Sequence, residues 1–359
     1  MKVCFMCGRE PSYIRNAVIL KGLRENNVET LNLAVNSTLV SISSVGYAIR
    51  YPRVLGRFLL SREDFDIIFI GFFGQPLVPL IEKISDKPII FDAFLSAYDT
   101  LCFDRKKFSP NSIFGRFLYR LDEYSCRISD KVLLDTNAHI DYFTRTFNLD
   151  GKKFQRVFIG ADDSVFYPRK MKKHSGFIAF YSSTFLPLHG AEYIIKAAKI
   201  LEGCEDIRFR IAGGGSTYNN IVKNARKTGL KNIDFIGWVA NRGLPNEIAQ
   251  SDVCLCGHFS NIDKAKRVIP SKCYESMAMR KPIVVGDDVA NRELFNNKNN
   301  AMFCKVADAS SLADSILELR DDEGLREKIA ENGFRTFKKR CTPKVIGAEI
   351  KSTMKKLIS

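Results

Sequence analysis

Arg267-Val268-Ile269-Pro270-Ser271-Lys272-Cys273-Tyr274-Glu275-Ser276-Met277-Ala278-Met279-Arg280-Lys281-Pro282-Ile283-Val284-Val285 reads as loop, helix and strand in succession. The helical pattern covers Tyr274–Met279 and the strand covers Pro282–Val285. An apolar run without alternation, such as Ile283-Val284-Val285, indicates a strand covered on both faces. Lys272 falls at the helix start, among amides that lack intrahelical partners, and Glu275 falls within the first turn. A glutamate there is ordinarily just favourable to the helix dipole. In a cleft it can instead accept both hydroxyls of a ribose, as acidic residues do in dinucleotide sites.

The same alternation extends outward. In the first half, Val3–Cys7, Asp66–Gly71, Lys87–Asp92, Lys131–Asp135 and Arg156–Gly160 are strand-like runs, with a helical pattern over Ser12–Asn26. In the second half the runs are Phe177–Tyr181, Arg208–Ala212, Asn232–Ile236 and Val253–Cys256, with helical patterns over Gly190–Glu202, Tyr218–Thr228, Leu244–Gln250 and Ser310–Leu319. Strands alternating with helices predict parallel βαβ units and doubly wound sheets, the α/β class. The series restarts after Tyr167-Pro168-Arg169-Lys170-Met171-Lys172-Lys173-His174, so two Rossmann-like domains are expected, 1–168 and 169–342. Ligands of such sheets bind at the carboxyl ends of the strands, which makes the loops there the candidates for chemistry.

Composition agrees with two cored domains: 359 residues, 45% hydrophobic and 26% charged. Lys plus Arg number 55 against 40 Asp plus Glu, a net charge of +15 that points to anionic partners. The apolar start stops at Gly8-Arg9-Glu10-Pro11 and reads as a strand, not a signal peptide. No run approaches the roughly 18 apolar residues that span a bilayer, and a cytoplasmic location is expected. Ten cysteines are scattered along the chain. Cys4 and Cys7 fall on opposite faces of a strand, and no second pair follows at zinc spacing, so these read as buried thiols and no metal is expected.

Four loops stand out. Gly8-Arg9-Glu10-Pro11-Ser12-Tyr13-Ile14-Arg15 lacks the full GxGxxG pattern; it is either a plain turn or a place where Arg9, Arg15 and helix amides meet an anionic group. Ser182-Ser183-Thr184-Phe185-Leu186-Pro187-Leu188-His189-Gly190 brings small residues and His189 to a helix entry, where the dipole favours phosphate. Ala212-Gly213-Gly214-Gly215-Ser216 allows close backbone approach. The fourth is the Arg267–Val285 segment itself.

At that segment the chain resembles the retaining glycosyltransferases of family 4, which have the GT-B fold. Pro270-Ser271-Lys272, Glu275, Met277-Ala278 and Lys281-Pro282-Ile283-Val284 resemble the family's nucleotide-sugar signature. Val157-Phe158-Ile159-Gly160-Ala161-Asp162 with Phe166 and Pro168, then Ile236-Gly237-Trp238-Val239, Ser251-Asp252-Val253, and Glu293 with Asn299-Asn300, resemble further family elements in the same order. The resemblance covers nearly the whole chain. It implies two Rossmann-like domains facing a central cleft, with a C-terminal helix, about 343–359, packing back onto the first. It implies retaining transfer of a sugar from a UDP- or GDP-linked donor to an acceptor hydroxyl, without metal or cofactor, and no separate general base is evident.

The donor is expected on the C-terminal domain, held by Glu275 at the ribose and by Ser271, Ser183, Thr184, Gly190, Gly214, Gly237 and Trp238. Catalytic roles fall to Lys272, Arg267 and His189, which would stabilise the departing diphosphate. The acceptor side is expected at Arg9, Arg15, Asp92 and His139; Asp92 can equally be a turn residue, and His139 a helix-face residue. Two departures stand out. Arg267 occupies the place of the first glutamate of the family's E-x7-E pair, and Ser183 and His189 occupy places where the family has cations. A GT-B nucleotide-sugar epimerase and a non-catalytic nucleotide-sugar-binding protein are the alternatives.

Two first-domain stretches are basic and aromatic. Tyr47–Arg62 carries Arg50, Arg53 and Arg57, and Arg105–Arg120 carries Lys106 and Lys107 with Phe108, Phe114 and Phe117. Such stretches are either solvated helix faces or an interfacial patch for an anionic membrane. The second reading places the protein on the inner face of the plasma membrane, acting on a lipid-linked, glycolipid or surface-polysaccharide acceptor. No recognised nucleic-acid module accompanies the charge, and no nucleic acid is expected.

Overall fold

The computed structural model describes residues 1–36, 44–171 and 174–359. Lys172 and Lys173 of the linker, and the side chain of Tyr47, lie outside the described residues. The strands are β1 (Lys2–Cys7), β2 (Glu29–Asn32), β3 (Ile67–Gly71), β4 (Ile89–Asp92), β5 (Lys131–Leu134), β6 (Phe154–Arg156), β7 (Phe177–Ser183), β8 (Ile207–Gly213), β9 (Ile233–Gly237), β10 (Val253–Leu255), β11 (Ile283–Gly286) and β12 (Met302–Cys304). The helices are α1 (Ile14–Glu25), α2 (Ser44–Leu60), α3 (Val78–Glu82), α4 (Ile113–Ile128), α5 (Asn137–Phe147), α6 (Ala191–Ile200), α7 (Tyr218–Lys227), α8 (Leu244–Gln250), α9 (Ser271–Ala278), α10 (Ala309–Asp321), α11 (Glu323–Arg340) and α12 (Pro343–Ile358).

Two six-stranded sheets result, ordered β2-β1-β3-β4-β5-β6 and β12-β11-β10-β7-β8-β9. Every pairing is parallel. The chain divides into one unit of residues 1–160 with 342–359 and a second of 161–341. The division therefore falls ahead of Pro168. Asp163 pairs with Lys338 at 3.6 Å, and Arg169 bonds both Asn246 and the Val165 carbonyl, so this stretch is tied to the second unit.

Both faces of the first sheet are buried, which explains its continuous apolar strands. Val3, Phe5 and Cys7 face a core shared with Val18 and Leu23 of α1 and Ile346 and Ile350 of α12. Cys4 and Met6 face the opposite core, with Val78, Cys126 and Phe143. None of the ten cysteines forms a disulfide. Two edge strands, β2 and β12, escaped the sequence reading. They are short, and the Glu-Thr-Leu-Asn sequence of β2 lacks an apolar run.

The expected strand Arg156–Gly160 ends instead at Arg156. Arg15 supplies the reason. Its Nη1 donates to the Val157 and Phe158 carbonyls at 2.6 and 2.9 Å, so the side chain takes up the backbone acceptors beyond the strand end. Its Nε and Nη2 grip Asp92 at 2.8–3.2 Å, and both side chains are fully buried. The expected C-terminal helix is α12, which follows α11 after a break at Cys341 and Thr342. Thr342 caps Val345 N–H and Pro343 starts α12. That helix lies on α1 at glycines of both: a Cβ on Gly347 would lie 2.1 Å from the Gly22 carbonyl group.

The basic stretches resolve differently from their sequence. Arg50 is buried, donates to the Gly8 carbonyl and pairs with Glu10 at 3.5 Å, so it cannot meet a membrane. Arg57 donates to the Leu33 and Ala34 carbonyls, while Arg53 is exposed. Around the start of α4, Phe103, Ile113, Phe114 and Phe117 are 49–84% exposed, beside exposed Arg105, Lys106, Lys107 and Arg116. Among the described residues, no helix is long and apolar enough to cross a membrane.

Because Gly347 meets backbone and not a movable side chain, Gly347→Ala is expected to lower stability by about 1–3 kcal/mol through overpacking. The readout is the urea midpoint at unchanged slope; an unchanged midpoint would mean that α12 is not seated on α1.

Candidate functional site

In the second sheet β7 lies between β8 and β10, so the chains leaving β7 and β10 diverge at a topological switch point, where such sheets bind ligands. The two loops are locked together there. Phe259 N–H donates to the His189 carbonyl at 3.1 Å, and Ser260 Oγ donates to the Leu188 carbonyl at 2.7 Å. Gly190 has φ +66°, and a Cβ there would lie 2.4 Å from Ser260 N, so both its conformation and its closeness require glycine.

This locking stacks the His189 ring on His258, with centroids 5.2 Å apart and planes 1° from parallel. His189 Nδ1 also meets Ser183 Oγ at 2.5 Å and accepts from Leu186 N–H at 3.3 Å. Lys272, in the first turn of α9, completes the cluster. Its Nζ is buried without a hydrogen-bond partner and lies 4.3 Å from the centroid of the Tyr181 ring. Burial lowers its ammonium to about 8. Burial and the Lys272 charge also hold His189 well below its ordinary range, and they push His258 down to about 3. Glu275 is buried on the same helix; burial raises its carboxyl to about 7 against the pull of Lys272. The arrangement is a buried cation with two neutral imidazoles, beside the N-terminal amides of α6 and α9. It suits a multiply charged anion.

The structure thus brings Ser183, His189, Lys272 and Glu275 together. Ser271 opens α9, and Thr184 is exposed on the β7 loop. Trp238 is 67% exposed after Gly237 and approaches Gly214. Arg267 ends the short turn Asp263–Arg267 ahead of α9. His258 and Tyr181 were missed. For His258 the available signal was its place just after β10, the position type that had drawn attention to His139 after β5.

In the first unit the expected acceptor residues differ from one another. Arg9 is partly exposed, pairs with Glu10 at 3.4 Å and lies over the Tyr13 ring. Arg15, Asp92 and His139 are buried and serve the fold. Arg15 and Asp92 hold each other, and His139 Nδ1 bonds Asp135 at 2.8 Å, so none offers an exposed face to an acceptor. Over the carboxyl ends of β1, β3 and β4 lies an aromatic cluster: Phe72 packs against Tyr13, Phe73 and Phe94 with centroids 4.5–4.8 Å apart. Phe73 and Phe94 adopt φ of +60° and +53°, costly for bulky side chains.

Residues 166–336 match the family model described as Glycosyl transferases group 1. This stretch is a glycosyl transferases group 1 domain. Three curated relatives are similar to the chain. The alpha-D-kanosaminyltransferase of Streptomyces kanamyceticus is 23% identical over 267 residues, which cover 71% of this chain and 64% of that protein. An uncharacterized glycosyltransferase of Methanocaldococcus jannaschii is 25% identical over 64% of this chain and 60% of its own. The lipopolysaccharide core biosynthesis glycosyltransferase LpsD of Rhizobium meliloti is 22% identical over 47% of each. The chain spans less than two thirds of each of these relatives. Among solved structures, HepE of Anabaena in complex with UDP has a TM-score of 0.74 at 15% identity, covering 99% of this chain and 100% of that one. Sucrose-phosphate synthase of Thermosynechococcus elongatus has 0.78 at 12%, covering 99% of each. The likeness shows the fold: two Rossmann-like parallel-sheet units of the GT-B class.

The buried Lys272 of the group 1 domain has a stability signature. Its folded-state pKa of about 8 lies below the ordinary 10.5, so between these values the unfolded chain binds more protons than the native one. Stability should therefore rise as pH increases through that window. Urea midpoints followed from pH 7.5 to 10 should rise in the wild type relative to Lys272→Met, with the variant the more stable at the low end. Parallel curves would contradict the burial of an unpaired ammonium.

Proposed function

We propose that this protein is a retaining glycosyltransferase, moving a sugar from a nucleoside-diphosphate sugar to an acceptor hydroxyl without a bound metal. The observation that carries this reading is Lys272: a buried ammonium without a hydrogen-bond partner, at the switch point of a group 1 domain, facing two imidazoles. An isolated buried cation is costly and persists where an anion will meet it. The departing group of the reaction is a nucleoside diphosphate, so charge develops where Lys272, His189 and the amides of α6 and α9 converge. Preorganised donors at that position stabilise the transition state more than the substrate.

In this reading Glu275 holds the ribose hydroxyls, and Ser183, Thr184, Ser271 and the Gly190 and Gly214 backbone line the donor. Trp238 and Gly237 border the base. Arg267 faces the transferred sugar, where the family resemblance has a glutamate. Arg9 and the aromatic cluster around Phe72 receive the acceptor. Relatives named for UDP complexes and for sugar transfer support the donor class.

The experiment is a panel of UDP- and GDP-sugars with release of free nucleoside diphosphate as the readout, followed by product stereochemistry. Donor binding without hydrolysis or transfer would sink the enzyme reading and favour the non-catalytic alternative. Glu275→Ala should weaken donor binding by about tenfold, the loss of one charge-assisted hydrogen-bonding group. Unchanged affinity would remove Glu275 from the site.

The acceptor proposed is lipid-linked or a surface-polysaccharide precursor at the inner membrane face. Its support is the exposed patch of Phe103, Ile113, Phe114 and Phe117 flanked by Arg105, Lys106, Lys107 and Arg116. Aromatic rings seat at the headgroup level and basic residues attract anionic lipid. Cosedimentation with vesicles containing phosphatidylglycerol should fall to the level seen with phosphatidylcholine alone in Phe114→Ser/Phe117→Ser. Equal binding by wild type and variant would discard the patch.

A further inference from the structure

We propose that His258 takes up a proton from solvent when a nucleoside diphosphate enters the second unit's site, while His189 stays neutral and donates through Nε2. The proposal rests on the donor-site reading above. It assigns the two stacked imidazoles different tasks.

The tautomer of His189 is set by its surroundings. Phe185 N–H donates to Ser183 Oγ at 3.0 Å, which leaves the Ser183 hydroxyl hydrogen for His189 Nδ1. Leu186 N–H also points at Nδ1. A nitrogen that accepts a backbone N–H carries a lone pair and no proton, so the hydrogen of neutral His189 sits on Nε2. Protonating Nδ1 would break both bonds.

His258 is arranged the other way. Its Nδ1 is buried and without a partner, and the nearby Ala265 backbone favours the charged form of the ring. A proton can be added there without breaking any bond. The rings are parallel and close, so two imidazolium charges would repel, and one proton serves the pair.

The groups around the pair explain why the proton is absent from the empty site. Lys272 faces both imidazoles, and Lys264 faces His258. Glu275, Cys256 and Cys273 face Lys272. Burial and the Lys272 charge keep both rings neutral, and Lys264 adds to this at His258. A phosphate beside Lys272 reverses the local field and favours an imidazolium. The site thus gains a cation only when an anion is present. This replaces charge that the sequence lacks at Ser183 and His189, and the proton returns to solvent as the diphosphate leaves.

The test uses the full chain, whose four histidines are few enough to resolve individually. With 15N-labelled histidine, assigned through His→Gln variants, UDP is titrated at pH 7. The expected result is an unchanged Nε2–H tautomer at His189 and a move of His258 from neutral to imidazolium shifts. Calorimetry in two buffers of different ionisation heat should give uptake of more than about half a proton per UDP. In His258→Gln that uptake should fall by most of its value and UDP affinity by about tenfold at pH 7, with a smaller loss at pH 8.5. If His258→Gln does not fold, the wild-type spectra decide alone. UDP binding with His258 still neutral overturns this inference and leaves the donor site standing. No binding of UDP or GDP at millimolar concentration overturns both.

Discussion

Every strand pairing in both units is parallel, so all carboxyl ends of a sheet emerge at one edge. Beyond that edge the ladder stops, and buried backbone groups must find partners among side chains and loops. Much of this structure follows from how each unit meets that demand. In the first, Arg15 takes the carbonyls that follow β6 and ties them to Asp92 at the end of β4. In the second, the loops after β7 and β10 bond to each other, and the same bonds bring His189 against His258.

The two edges treat buried charge in opposite ways. Arg15 is satisfied on every nitrogen, by a carboxylate and by carbonyls, and has nothing left for a ligand. Lys272 is buried with a ring face beneath it and no hydrogen-bond acceptor. A paired buried ion contributes to a unique fold, whereas an unpaired one weakens the fold and is tolerated where a ligand completes it. The contrast separates an arginine spent on the fold from a lysine left without an acceptor, although both stand near strand ends of doubly wound units.

The net charge of +15 is similarly divided by packing. Arg50 is buried against the Gly8 carbonyl after β1, and Arg57, exposed like its neighbour Arg53, donates to the Ala34 carbonyl after β2. The basic residues near the start of α4 remain in solvent with exposed rings between them. Composition registers both groups equally; only the packed structure distinguishes cations that bond the chain's own carbonyls from cations left in solvent.

The sequence by itself determined the class of fold. Short, uninterrupted runs rich in Ile, Val and Phe, such as Ile67–Gly71 and Ile283–Gly286, fit a parallel strand covered on both sides, and the run of such strands twice over predicts two doubly wound units. It also singled out Lys272, Glu275, Ser183 and His189 by their places near strand ends, because such loops and helix starts can be read from local pattern. The edge strands were illegible, since a strand such as β2 depends on a neighbour and not on its own residues. Tertiary structure alone decided which polar residues are spent on the fold: Arg15 reaches from α1 to Asp92 and to the chain beyond β6, a pairing between positions far apart in sequence. It alone placed His258 on His189, because that stack is created by backbone bonds between two loops, and no local pattern records which loops a sheet will set side by side.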